Sequence, residues 1–159
     1  MAGLQVHTAE TAYAVTQAEI KAWCKIDSSD DDTAVALIER AVHNWAKEYT
    51  SRTLTTVTYN LFIDTVYESD IPIQEGFYVG YDGRTNKRSI DLPKSPVASV
   101  SHIKYYDDDD TATTFATSNY YLDNVSVPAR IVLRKGSSYP TSLRVANGIE
   151  IKYVAGYGA

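Results

Sequence analysis

Residues Asp31 to Ile63 read DDTAVALIERAVHNWAKEYTSRTLTTVTYNLFI, and the spacing of apolar residues changes once within them. In the first part Ile38, Val42, Trp45 and Tyr49 recur at steps of four, three and four, with Leu37 and Ala41 beside them, while Glu39, Arg40, Lys47 and Glu48 fall elsewhere. That spacing gathers the apolar side chains on one stripe of a helix. The acidic run Asp30, Asp31 and Asp32 suits the positive end of its dipole, so the helix is expected from about Asp31 to about Arg52 and roughly 30 Å long at ~1.5 Å per residue. After Thr53 the period becomes two. Val57, Tyr59, Leu61 and Ile63 face one way and Thr56, Thr58, Asn60 and Asp64 the other, the pattern of a strand with one buried face.

Working outward toward the start, Thr16-Gln17-Ala18-Glu19 has the spacing of a capping box, in which the Thr hydroxyl and the Glu carboxylate satisfy orphan backbone donors. It predicts a short helix to about Ile26, with Ile20, Trp23 and Cys24 on one face. Residues 1–15 have no sustained period and read as an arm, mobile or ordered by a partner. Downstream, residues 66–87 carry Gly76, Gly80 and Gly83 with Asp70 and Asp82 and read as a long loop or irregular hairpin. Ser89 to Leu92 is a short strand closed by Pro93. Val97 to Tyr106, the solvated turn Asp107 to Asp110 and the return Thr113 to Phe115 make a hairpin. Tyr120 to Leu122, Arg130 to Leu133 and Ile149 to Val154 add strands, and Gly156-Tyr157-Gly158 marks a turn where Gly permits positive φ. The expected class is α+β: one domain over 1–159, with an arm (1–15), two N-terminal helices (16–52) and a mostly antiparallel β-sheet part (53–159).

At 159 residues and 17.6 kDa the chain has the size of one domain, large enough to bury roughly 68–70% of its unfolded surface without a disulfide or metal. Cys24 is its one cysteine, which excludes an intramolecular disulfide and a cysteine metal cluster and fits a reducing compartment. The opening MAGLQVHTAETAYAV lacks the basic and long apolar regions of a signal peptide, and nothing approaches the ~18 apolar residues of a membrane span. The expectation is a soluble, unsecreted chain without a membrane partner. A net charge of −5 disfavours non-specific attraction to DNA. Thirteen Tyr against three Phe suit either half-exposed strands or contacts between subunits.

Sequence motifs for chemistry are sparse. His7, His43 and His102 lie on three different segments with no local metal-clamping spacing. Cys24 beside Trp23 on an apolar helix face reads as packing far more readily than as a nucleophile paired with His43 or His102. The Asp107 to Asp110 run lacks the alternate ligands, central Gly and final Glu of a calcium loop. The glycines at 76, 80 and 83 do not make a phosphate-binding pattern. No catalytic, cofactor-binding or metal-binding residue is expected, and no cofactor.

Several pieces in order are similar to a known family: Ala18-Glu19-Ile20-Lys21 with the acidic run; Leu37-Ile38 through Tyr49-Thr50-Ser51-Arg52; Asp91-Leu92-Pro93, then Ser95-Pro96-Val97-Ala98-Ser99-Val100 and Tyr105-Tyr106-Asp107; Pro128-Ala129-Arg130-Ile131-Val132-Leu133; and Tyr153-Val154-Ala155-Gly156-Tyr157-Gly158. Together they resemble the head-tail connector, or adaptor, proteins that long-tailed phages and gene transfer agents place between portal and tail. These motifs report strand and turn geometry, not a reactive site. The resemblance implies a non-enzymatic virion neck subunit, assembled in the host cytoplasm into a dodecameric ring. Its partners would be further copies of itself, the portal protein and a tail-proximal neck or stopper protein, and DNA would pass through without sequence-specific binding.

Members of that family continue past the Ala-Gly-Tyr-Gly turn into a further apolar helix, whereas this sequence ends at Ala159. Either the sequence is shortened, or the Ile38/Val42/Trp45/Tyr49 face is covered by a neighbouring subunit or the portal. Candidate residues for subunit or portal contact are Trp45, Tyr49, Phe77, Tyr78, Tyr81 and Tyr157. Asp107, Asp108, Asp109 and Asp110 are candidates for an acidic turn facing a DNA channel, the alternative being plain solvation. Two other functions fit parts of the sequence: a carbohydrate- or surface-binding β module using Phe77, Tyr78 and Tyr81, and a small hydrolase using Cys24 and a histidine.

Overall fold

The structure, a computed structural model, describes residues 2–64 and 89–158. The elements run β1 (Ala2–Thr8), α1 (Gln17–Cys24), α2 (Asp32–Thr50), β2 (Val57–Ile63), β3 (Ser89–Leu92), β4 (Val97–Tyr106), β5 (Ala112–Thr114), β6 (Tyr120–Asp123), β7 (Ala129–Leu133) and β8 (Ile149–Ala155). This is the α+β arrangement of two helices followed by antiparallel strands. The expected loop at 66–87 lies outside the described residues.

The strands form two sheets rather than one: a five-stranded sheet in the order β1-β2-β8-β4-β5 and a three-stranded sheet in the order β3-β7-β6. Every described pairing is antiparallel. Their buried faces share one core, to which β2 gives Val57, Tyr59, Leu61 and Ile63, β7 gives Ala129, Ile131 and Leu133, and β8 gives Ile149, Ile151, Tyr153 and Ala155. The alternation read in β2 is the cause, because a period of two sends every second side chain into the same layer.

β8 is the centre of the larger sheet. Ile149 sits between Ile63 and Tyr105, Ile151 between Leu61 and Ile103, Tyr153 between Tyr59 and Val100, and Ala155 between Val57 and Val97. Strict alternation along β4 would send Val100 away from Val97 and Ile103. Two register breaks against β8, between Val97 and Ser99 and between Val100 and His102, restore the match, since a bulge inserts one residue and re-aims those that follow.

Within the expected arm, Ala2–Thr8 is a strand of the larger sheet. Ala2–Thr8 pairs along β2 from Ala2↔Ile63 to Thr8↔Thr58. Its sequence alternates over only three apolar positions, Ala2, Leu4 and Val6, of which Ala2 and Leu4 pack partly buried against the core; as the outermost strand it bonds on one side and leaves five of its seven residues exposed.

Polar bonds fasten the helix exit to the sheets. The buried Thr53 hydroxyl lies 3.1 Å from the Tyr59 hydroxyl and donates to the Lys94 carbonyl at 3.0 Å. The Tyr153 hydroxyl donates to the Pro93 carbonyl at 2.9 Å, and burial pushes this phenol's pKa up. The Gly156 amide donates to the Pro96 carbonyl at 2.8 Å, and that of Tyr157 to the Leu54 carbonyl at 3.3 Å. Gly156 holds φ +127°, and a Cβ there would lie 2.3 Å from the Thr55 carbonyl oxygen. Both the dihedral and the contact exclude a side chain. Gly156→Ala is therefore expected to lower stability by about 2 kcal/mol or more, visible as a fall in thermal midpoint; an unchanged midpoint would mean that the turn has another accessible conformation.

Candidate assembly surface

α1 forms as its sequence signals predict. Thr16 is the N-cap, its hydroxyl oxygen accepting the Glu19 amide at 3.3 Å, while the Glu19 carboxylate accepts the Thr16 amide at 2.8 Å. The Thr16 amide and the Thr16 hydroxyl, which donates to the same carboxylate at 2.8 Å, hold the Glu19 carboxyl below its ordinary pKa. The C-cap Lys25 takes φ 55°. The expected packing of Cys24 and Trp23 does not occur: Cys24 is exposed and Trp23 is 89% exposed. The eight-residue helix reaches α2 through Gln17 and Lys21, which bond to the Asp32 carbonyl and carboxylate, and among the described residues nothing buries its Trp23 and Cys24 face.

α2 is oriented with its apolar stripe outward. Leu37, Ile38, Val42, Trp45 and Tyr49 are all more than half exposed, the last two at 65% and 77%, and the Trp45 and Tyr49 rings stack at 5.1 Å. The residues it buries are Val35 and His43. Neither helix contributes to the core cluster. What holds the inward side is polar: Lys47 Nζ pairs with both oxygens of Glu10 at 2.7 Å, and His43 Nδ1 accepts the Ala14 amide at 3.3 Å. At its C-terminal end Glu48 pairs with Lys94 at 3.4 Å, and Arg52, just beyond, bonds to the Tyr157 hydroxyl.

Of the candidate contact residues, Trp45, Tyr49 and Tyr157 are exposed, and the Arg52 bond carries Tyr157 to the region of the α2 exit. Phe77, Tyr78 and Tyr81 lie outside the described residues. Among the other tyrosines, Tyr59, Tyr120 and Tyr153 are buried in the core, which is the strand use of that residue type.

The acidic run is a turn with unequal members. The Asp107 carboxylate accepts the amides of Asp109 at 3.0 Å and Thr111 at 2.8 Å, Asp110 takes φ 61° and pairs with Arg144 at 3.0 Å, and the Arg144 guanidinium lies 4.1 Å from the Tyr106 ring centroid. Asp108 and Asp109 point their exposed side chains at solvent. Asp107 is thus a structural acceptor.

The histidines have separate partners. His102 Nε2 lies 3.4 Å from Glu150, which also accepts the Tyr106 hydroxyl at 2.6 Å. Burial alone would raise the Glu150 pKa, but these two bonds and the charges of His102 and Lys104 hold it below its ordinary value. Lys152 Nζ lies 2.7 Å from His7 Nε2. Among the described residues no group of three or more His, Cys, Asp or Glu could hold a metal ion, no helix is long and apolar enough to cross a membrane, and no hydrogen bond joins Cys24 to a histidine.

The chain matches no protein-family model and no curated protein. Its fold, however, is shared with chains of solved particles. A chain in the neck of an empty gene transfer agent particle, computed with C6 symmetry, matches 99% of this chain and 72% of its own length at TM-score 0.71 and 19% identity. A chain in the virion of a native gene transfer agent particle matches 98% and 72% at TM-score 0.68 and 19% identity. One in the neck of a native particle, computed with C12 symmetry, matches 98% and 71% at 0.62 and 18%.

Two substitution contrasts test these assignments by denaturant unfolding. Ile38→Gln and Val42→Gln should change stability by no more than about 0.5 kcal/mol, because neither side chain is buried, whereas Val35→Ala should cost about 1–2 kcal/mol. Asp107→Ala should cost about 1 kcal/mol for its lost amide bonds, and Asp108→Asn should be near neutral. Equal effects within either pair would contradict the orientation described.

Proposed function

We propose that this chain is a head-tail connector subunit, one copy in a ring between the portal and the tail of a phage-like particle. The observation that carries the reading is the shared fold over nearly the whole chain with chains from particle necks. The outward stripe of α2 supports it. Fully burying a large apolar side chain stabilises by about 1.5–3 kcal/mol, and Ile38, Val42, Trp45 and Tyr49 are already partly covered, so burying the rest yields roughly 4–8 kcal/mol, within the ~4–15 kcal/mol of freedom lost on association. A surface stripe of that size is a mark of an interaction site.

In this proposal the subunit acts by shape, without catalysis. A closed ring of identical copies needs a heterologous interface, one patch of each copy fitting a different patch of the next, and the α2 stripe with Tyr157 supplies one such patch or the portal contact. Further partners are the portal and a tail-proximal neck or stopper protein, within a virion assembled in the host cytoplasm. DNA passes through the ring, and the acidic balance limits its adhesion by repelling phosphates. Of the acidic turn, Asp108 and Asp109 have the carboxylates available for that role.

The test is particle imaging of the purified chain with the portal protein of its own particle. Wild type should form rings on the portal. Val42→Glu/Trp45→Glu should abolish them while leaving the thermal midpoint of the free chain within a few degrees, because the altered side chains are exposed. A wild-type chain that stays solitary beside every neck and portal component defeats the connector reading, and rings formed equally by the double variant defeat the use of the α2 stripe.

A further inference from the structure

His43 is the one buried titratable side chain of α2, 5% exposed. A backbone amide can only donate, so the 3.3 Å contact from Ala14 fixes Nδ1 as an unprotonated acceptor and places the proton of the neutral ring on Nε2. That Nε2 is buried without a hydrogen-bond partner, and Glu10 Oε1 stands 3.7 Å away, beyond hydrogen-bond reach. Glu10 is already committed to Lys47 through both oxygens. The Tyr13 ring covers the imidazole with its centroid at 5.0 Å.

We infer that His43 is a proton-sensitive latch between the Glu10–Ala14 segment and α2, closed when the imidazole is neutral and opened when it is protonated. A proton on Nδ1 sets two donors against each other across the Ala14 contact, so the bond that ties the segment to the helix is lost. It also creates a cation in a nearly dry site. The charged and titratable groups facing that site are Glu10 and Tyr13 from the segment before α1, and Glu39 and Lys47 from α2 itself. Burial disfavours the cation, Glu10 and Glu39 favour it and Lys47 opposes it, and the balance holds the His43 pKa below its ordinary value. The sign follows: a histidine whose folded pKa is depressed contributes stability that is fully present above the unfolded value near ~6.5 and is lost as pH falls through the folded value.

The latch matters for the geometry of the surface, because together with the Glu10–Lys47 pair it fixes the chain before α1 against the polar side of α2. The experiment uses the full chain alone, so that its outcome is independent of ring formation. NMR titration of the His43 ring and hydrogen-exchange protection of the Ala14 amide are followed from pH 8 to pH 5, for wild type and for His43→Asn. The Asn amide oxygen, carried on Cγ as Nδ1 is, can accept the Ala14 amide at every pH. Wild type should titrate below the free histidine value and lose roughly tenfold in Ala14 protection on acidification, the scale of one lost hydrogen bond. His43→Asn should keep its protection throughout. A His43 midpoint above that of free histidine, Ala14 protection that holds or grows in acid, or a variant with the wild-type pH dependence would each overturn the latch, the first two by showing that Glu10 recruits the cation and tightens the contact.

Discussion

The structure depends on the burial of one face of β8 between two partners. Its inward residues Ile149, Ile151, Tyr153 and Ala155 are each flanked on both sides in the sheet and faced by the second sheet across the shared core. A register slip of one residue would turn all four outward and bring Glu150 and Lys152 in, which no bond made elsewhere could offset. The bulges of β4 follow from this constraint, because ten residues must present Val97, Val100, Ile103 and Tyr105 to a strand that keeps strict alternation. So does the demand for glycine at 156, where the chain leaves β8 against the backbone of Thr55.

With the core complete between two sheets, the helices are released from the duty of filling it. This reverses the usual relation between an amphipathic helix and its domain. A helix within a single globular fold turns its apolar stripe to the core; α2 turns His43, Val35 and Lys47 inward and Trp45 and Tyr49 outward. Ion pairs and one backbone-to-imidazole bond fasten it together with the buried Val35 and the Tyr13 ring over His43. Such polar contacts are weaker and more dependent on pH and salt than a packed core.

The likeness to chains of gene transfer agent particles at 18–19% identity is one of fold, with most side chains different. That division is visible within this chain. The residues that set the fold are alternating apolar positions and a few turn residues, replaceable by others of similar shape, and the surface is free to carry a different charge and a different contact chemistry on the same frame. The acidic turn shows it at the scale of four residues: Asp107 is held by the turn it closes, and Asp108 and Asp109 are not.

The sequence by itself determined most of the elements after residue 15, because periodicity and capping are local. The step from 3.6 to 2 after Arg52, the Thr16–Glu19 box, the hairpin around the Asp run and the glycine turn at 156 are each legible within a dozen residues, and the family resemblance rested on their order. Only the tertiary structure decided what covers what. The first strand was hidden although Ala2, Leu4 and Val6 alternate, because three apolar positions are too few to separate a strand from an arm and the pairing with β2 that decides it joins distant segments. The exposure of Cys24 and Trp23 was hidden because a short helix face is buried only if a wall stands opposite, and the division into two sheets because pairing is a relation between distant segments. Likewise the meeting of His43 with Glu10 and Ala14, about thirty residues apart in the chain, carries no local signal: a solitary histidine on a helix reads the same whether it faces water or closes a buried joint.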